Sequence, residues 1–145
     1  MEIYSIGFTQ KTAEQFFGIL NEAGIRRLMD VRLNNVSQLA GFSKRDDLAY
    51  FLHAILNASY VHVPLLAPTQ DMLDSYKKKE RNWDNYAHAF IELIRTRQIE
   101  RQLDKASFLL PTVLLCSEPT AENCHRRLVL EYLQEHWGGF TITHL

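Results

Sequence analysis

The chain predicts an α/β fold, a three-layer Rossmann-like arrangement around a mostly parallel five-stranded sheet, and two observations carry that prediction. Short apolar, β-branched runs alternate with longer segments whose apolar residues recur at helical spacing. Polar residues or glycine follow the runs at their C-terminal ends, as at Gly7, Asp30 and Ser117. With 145 residues, of which 46% are hydrophobic and 23% charged, the chain has the length for one core, so residues 1–145 are expected to form a single domain.

Glu2-Ile3-Tyr4-Ser5-Ile6 reads as the first strand, stopped at Gly7. Thr12 with Gln15 three residues on fits a capping box, and Phe16, Phe17, Ile19, Leu20 and Ala23 give the following helix an apolar face that closes at Gly24. Residues 27–31 form a second strand with Asp30 and Arg32 at its C-terminal edge. The next ten residues, Leu33 to Phe42, hold Asn34, Asn35, Ser37 and Gln38 and suit an ordered loop. Ser43 is placed to cap a helix whose stripe is Leu48, Phe51, Leu52, Ile55 and Leu56, before a third strand at 60–64 that Pro64 stops.

A helix start is read at Thr69-Gln70-Asp71-Met72, and the charge run from Lys77 to Arg81 reads as a solvated helix end or loop. Asp84 is then expected to cap a longer helix carrying Tyr86, Ala87, Phe90, Leu93 and Ile94, with Ile99 and Leu103 continuing its face. Pro111 ends that pattern. Residues 112–116 form the fourth strand, a helix runs from near Glu122 to His136 with Leu128, Val129, Tyr132 and Leu133 inward, and residues 140–144 close the sheet. Strand order 3-2-1-4-5 is favoured, which puts strands one and four side by side and brings Gly7 to Thr9, Asp30 to Arg32 and Cys116 to Arg126 to one crevice.

That crevice is where chemistry is expected. Both cysteines, one of six histidines and two arginines lie within the twelve residues from Cys116 to Arg127. Unpaired N–H groups at a helix start favour an anion, so a phosphorylated or otherwise anionic, nucleotide-like small molecule is the expected partner, held by Gly7, Thr9, Asp30, Arg32, Cys116, His125 and Arg126. Cys124, near the helix start and two arginines, is the better nucleophile candidate, and Glu118 a candidate acid or base, for a hydrolase or transferase. Plainer readings stand beside these. Cys116 and Cys124 can be packing residues, Glu118 a partner that holds the loop to Arg126, Asp30 and Arg32 an internal ion pair, and His62 a satisfied core histidine or one on the opposite sheet face.

Several classes are disfavoured. A cysteine-phosphatase loop needs an arginine where this chain has Glu122, counting from Cys116, or Leu130, counting from Cys124. Structural zinc uses a short knuckle and a second ligand pair, and neither is present, so the expectation is a chain with no metal and no cofactor; a metal or redox site built from Cys116, Cys124 and His125 stays as an alternative. A net charge of −1 does not support nucleic acid as a partner, although a non-enzymatic regulatory or nucleic-acid-associated module is a second alternative, with Trp83, Tyr86, Tyr132 and Trp137 more often core than stacking platforms. No stretch approaches the roughly 18 apolar residues of a membrane span, and the opening residues lack a leader pattern, so the expected compartment is the cytoplasm.

The segments Ser5-Ile6-Gly7-Phe8-Thr9, Leu28-Met29-Asp30-Val31-Arg32 and Tyr60-Val61-His62-Val63-Pro64 also have a familiar look, as above all does Leu114-Leu115-Cys116-Ser117-Glu118 with Cys124-His125-Arg126. Together they resemble the bacterial domain-of-unknown-function family numbered four-eighty-eight, over nearly the whole chain. That family often carries a histidine after the opening glycine, where this chain has Phe8. The resemblance implies a small α/β fold and a pocket, and names no reaction.

Overall fold

The computed structural model describes residues 1–36, 41–80 and 82–145. Its strands are β1 (Glu2–Gly7), β2 (Arg27–Asp30), β3 (Ser59–His62), β4 (Thr112–Cys116) and β5 (Thr141–His144), within a residue or two of the sequence expectation. All neighbouring pairs are parallel. The helices are α1 (Ala13–Glu22), α2 (Arg45–Leu56), α3 (Gln70–Lys77), α4 (Trp83–Arg97), α5 (Ile99–Gln102) and α6 (His125–Trp137).

The order is β3-β2-β4-β1-β5, a correction to 3-2-1-4-5. Strands β1 and β4 are neighbours as expected, but β4 is inserted between β1 and β2. The reason lies in its residues. Every position of β4 is buried, and a strand covered on both faces belongs at the centre of a parallel sheet. Val31 N–H donates to the Leu115 carbonyl at 3.1 Å, so the end of β2 lies beside the end of β4 instead of a strand away.

Alternation along the strands divides the core between two faces. Ile6, Leu28, Val113 and Leu115 pack under α1 and α2, against Phe16, Phe17, Leu20, Leu48, Leu52 and Leu56. On the other face Ile3, Met29, Leu114 and Cys116 meet Phe90 and Ile94 of α4 and Leu128, Val129, Tyr132 and Leu133 of α6. Cys116 therefore points to the side that α6 covers.

Helix ends show where local chemistry was legible. Thr12 and Gln15 form both halves of the capping box, at 3.1 and 2.9 Å, and Thr69 caps α3 by accepting from Met72 N–H. Four expectations are corrected. Lys44 stands at the N-cap of α2, because Ser43 is buried in a short 3-10 turn (Gly41–Ser43) where its carbonyl accepts from Arg32. Asn82, two residues before Asp84, caps α4 by accepting from Asn85 N–H at 2.8 Å. The α4 face stops at Gln98, whose φ of 53° is left-handed and redirects Ile99 into α5. Ile55 is exposed, outside the buried stripe of α2. Ser37, Gln38 and Arg81 lie outside the described residues.

Candidate functional site

β1, β2 and β4 end together, with Gly7 paired to Cys116 and Asp30 to Leu115. The loops that follow them surround a cavity of about 540 Å³. Phe8, Thr9 and Lys11 line it from the first loop, Arg32 and Asn34 from the second, and Cys116, Ser117, Glu118, Asn123, Cys124 and His125 from the third. Leu73, Tyr76 and Lys77 of α3 and Trp83 and Tyr86 of α4 supply the remaining wall. The three stretches singled out in the sequence thus converge on one space.

The third loop is held from several sides. Thr9 donates to the Ser117 carbonyl from its backbone N–H, at 3.2 Å, and from its hydroxyl. Arg126 is fully buried; its NH1 donates to the Glu118 carbonyl at 2.8 Å and its Nε to Ser5 Oγ at 3.1 Å. The partner of Arg126 is the Glu118 carbonyl, while the Glu118 carboxylate belongs to an exposed residue on the cavity wall. Gly7 does not line the cavity. It is the residue that lets the loop approach β1, since a Cβ there would stand 1.5 Å from the Glu118 carbonyl oxygen.

At the floor of the cavity Cys116, Cys124 and His125 form a cluster. Their ligand atoms lie within 4.8 Å of one another, and all three residues are buried. Cys124 is the N-cap residue of α6, so the helix begins three residues later than the sequence suggested, and His125 opens its first turn. His125 Nε2 is 2.8 Å from the Val31 carbonyl oxygen. A carbonyl only accepts, so Nε2 carries the proton and Nδ1 is left with its lone pair, 3.5 Å from Cys116 Sγ. A hydrogen bond from Cys124 pulls the Cys116 thiol below its ordinary value despite burial, helped by the N–H groups of Ser117 and Glu118 and the charge of Arg126. The same shared bond, with burial, pushes the Cys124 thiol up. The thiolate of the pair is favoured at Cys116, whereas helix-dipole reasoning from sequence placed it at Cys124.

Arg32 and Asp30 form the internal ion pair that sequence left as one of two readings. Arg32 Nε and NH2 each donate to the Asp30 carboxylate at 2.9 Å, NH2 also reaches the Ser43 carbonyl at 2.7 Å, and Tyr60 donates to Asp30 at 2.6 Å. Burial and the Asp30 carboxylate both push the Tyr60 hydroxyl up, keeping it a donor. Asn35 supports Tyr60 at 3.3 Å, and His62 Nε2 donates to the Arg32 carbonyl at 2.7 Å, so neither reaches the cavity. The Arg32 guanidinium stacks 5.2 Å from the Phe8 ring, and its NH1 is buried with no hydrogen-bond partner among the described residues. Phe8 thus takes part through its ring face, a cation–π contact that the sequence did not signal.

Sequence reasoning also missed Lys11, Lys77 and Tyr76 as cavity residues, and Trp83 and Tyr86 as its wall. Tyr76 and Tyr86 have ring centroids 4.9 Å apart, and Trp83 stacks on Tyr86 at 5.6 Å. Tyr86 is followed by Phe90, whose edge meets His125 at 5.3 Å. An aromatic run at positions 76, 83, 86 and 90 was the available signal, and it reads equally as core.

A parallel α/β sheet whose C-terminal edge carries a cavity floored by two thiols and an imidazole defines the class of protein. The family model for DUF488, a domain of unknown function, matches residues 12–133, and the chain belongs to that family. No solved structure gives a significant match to it. Among the described residues no helix is long and apolar enough to cross a membrane.

Proposed function

We propose that the cavity binds a phosphorylated, nucleotide-like small molecule and that the chain acts on it as a hydrolase or transferase, with the thiol and imidazole groups at the floor as the reactive end. The observation that carries this reading is Arg32. Among the described residues its NH1 is buried without a partner, on a residue that lines the cavity, and an unsatisfied buried donor costs about 1–3 kcal/mol, more when charged. An anionic oxygen would satisfy it. Lys11 and Lys77 line the same space and add positive charge, and the Tyr76, Trp83 and Tyr86 rings offer a face on which a base stacks. Arg126 contributes by holding the loop, since its side chain is enclosed against Ser5 and Glu118.

The test is thermal stability in inorganic phosphate, sulfate and adenosine monophosphate, against chloride at equal ionic strength. A ligand that binds only the folded state raises the melting temperature with its concentration. Lys11→Ala and Arg32→Lys should reduce the shift, and Lys78→Ala, in the exposed charge run, should not. Arg32→Ala is the poorer choice, because it strands the buried Asp30 charge at a cost of about 3–5 kcal/mol. Equal shifts in the wild type and in all three variants would remove the anion site.

A further inference from the structure

The lack of a short Cys-x2–4-Cys knuckle counts against a structural zinc site, but a three-ligand site needs no knuckle. Catalytic zinc sites use three protein donors and leave a fourth position open, and two cysteines with one histidine are among the donor sets found there. Here one donor, Cys116, sits on the last residue of β4, and the other two, Cys124 and His125, at the N-cap and first residue of α6. A strand and a helix start supply them, so the seven residues between the cysteines form the loop that joins the two elements instead of a knuckle. We infer that Cys116, Cys124 and His125 form a Zn²⁺ site whose fourth coordination position opens into the cavity.

Three observations independent of one another support it. The first is distance. Zinc bonds of about 2.3 Å to sulfur and 2.05 Å to nitrogen at tetrahedral angles set the two donors about 3.6 Å apart, and Cys116 Sγ lies 3.5 Å from His125 Nδ1. All ligand atoms of the cluster fall within 4.8 Å of one another, a span that small side-chain rotations close. The second is the orientation of the imidazole. Metal-bound histidines donate their other ring N–H to a carboxylate or backbone carbonyl, which fixes the tautomer and ring plane. His125 does so already, to the Val31 carbonyl at 2.8 Å, and this leaves Nδ1 as the free donor facing Cys116. The third is access. The donors are buried, yet all three line the cavity, so an ion there would be shielded on the protein side and reachable from the ligand side.

Two thiolates and a neutral imidazole in a tetrahedral set select zinc over the hard cations Mg²⁺ and Ca²⁺, which take oxygen donors. The two thiolate charges offset those of the ion. The open position would then take a water or an anionic oxygen of a cavity ligand. The inference rests on the sulfur and nitrogen donors and not on Arg32 or the lysines, so ion binding and anion binding are tested separately; with the ion bound, the reactive end of the cavity would be its open position and not a free thiol.

The experiment uses the full chain, stripped with a chelator and titrated with Zn²⁺ against a chromophoric competitor, with Co²⁺ as a spectroscopic stand-in. One Zn²⁺ per chain is expected, with proton release on binding, and Co²⁺ should give the intense visible bands of tetrahedral coordination with a sulfur-to-metal charge-transfer band in the near ultraviolet. Cys116→Ser, Cys124→Ser and His125→Gln should each weaken binding by more than the roughly 10–100-fold that loss of an outer-shell partner causes. Because these buried positions also pack, the wild type carries a second measurement: Zn²⁺ should slow iodoacetamide alkylation of both thiols, and chelator should restore it. Lys11→Ala, expected to lower the phosphate response, should keep one Zn²⁺. Stoichiometry near zero, Zn²⁺ retained in a folded Cys116→Ser/Cys124→Ser double variant, or thiol reactivity indifferent to Zn²⁺ would each overturn the inference.

Discussion

Gly7 and Glu118 meet backbone to backbone at the end of β1, where a Cβ on the glycine would lie 1.5 Å from the Glu118 carbonyl oxygen and 3.1 Å from Arg126 NH1. Neither neighbour can yield cheaply. The carbonyl is main chain, and the guanidinium is fixed by Ser5 and by that same carbonyl. Gly7→Ala is therefore expected to displace the 116–118 loop and to cost about 1–3 kcal/mol or more, as overpacking does. A melting curve should fall by several degrees, at roughly 2–4 °C per kcal/mol for a chain of this size. Iodoacetamide should reach Cys116 faster. Gly18 is the control: it lies inside α1 with no atom near its missing Cβ, so Gly18→Ala should stabilise by roughly 0.5–1 kcal/mol.

Ser5 also links the core to pH. Arg126 Nε donates to Ser5 Oγ, which leaves the single Ser5 hydroxyl proton for Nδ1 of His144, within hydrogen-bond distance at the end of β5. A protonated imidazole would turn that bond round and add a charge near Arg126 and Arg127. Withdrawal from water and the Arg126 charge accordingly hold the His144 imidazole below its ordinary value. The unfolded chain then takes up the proton first as pH falls below about 6.5, so stability declines from there down to the folded-state midpoint and levels off beneath it. Proton NMR should find the His144 midpoint below that of a free histidine, and His144→Asn should flatten the fall in melting temperature between pH 7 and 5. A His144 midpoint at or above the free value would remove the proposed proton order along Arg126, Ser5 and His144.

What the sequence carries is what local physics decides. Thr12 and Gln15 are three residues apart and cap α1 through contacts between them, and the unbroken apolar run of Val113, Leu114 and Leu115 shows directly as a strand buried on both faces. Convergence of the three loops was legible too, because parallel strands must all end on one edge. Strand order was less so. The insertion of β4 beside β2 depends on which neighbours bury it best, a global quantity that no window of residues expresses. Ser43 had the residue type of a cap, but its carbonyl accepts from Arg32, eleven residues earlier in the chain, a contact that no local window of sequence expresses. The zinc-like grouping was discounted because seven residues separate the cysteines in sequence, while the turn between β4 and α6 sets their sulfurs side by side. Lys11, Tyr76 and Trp83 became cavity residues only through the packing of α3 and α4 over the sheet edge.

The aromatic wall gives the nucleotide reading its own test. Trp83 stacks against Tyr86 with planes 28° apart, and the Arg127 guanidinium lies 5.9 Å from the Trp83 ring, so the indole is held in one orientation while it lines the cavity. A base stacked on such a face is worth about 1–3 kcal/mol, roughly 10-fold or more in affinity, and inorganic phosphate has no base to stack. The chain has two tryptophans. Trp137 packs on Phe108 and donates from Nε1 to the Glu100 carbonyl at 3.0 Å, away from the cavity, so in a Trp137→Phe background the emission reports Trp83 alone. Adenosine monophosphate should quench that emission in a saturable way, and phosphate should leave it nearly unchanged while still raising the melting temperature. Trp83→Leu should then weaken the nucleotide about 10-fold and phosphate hardly at all. If both ligands weaken together, the ring is scaffold for the cavity and the ligand is recognised by its charge, with no base in contact.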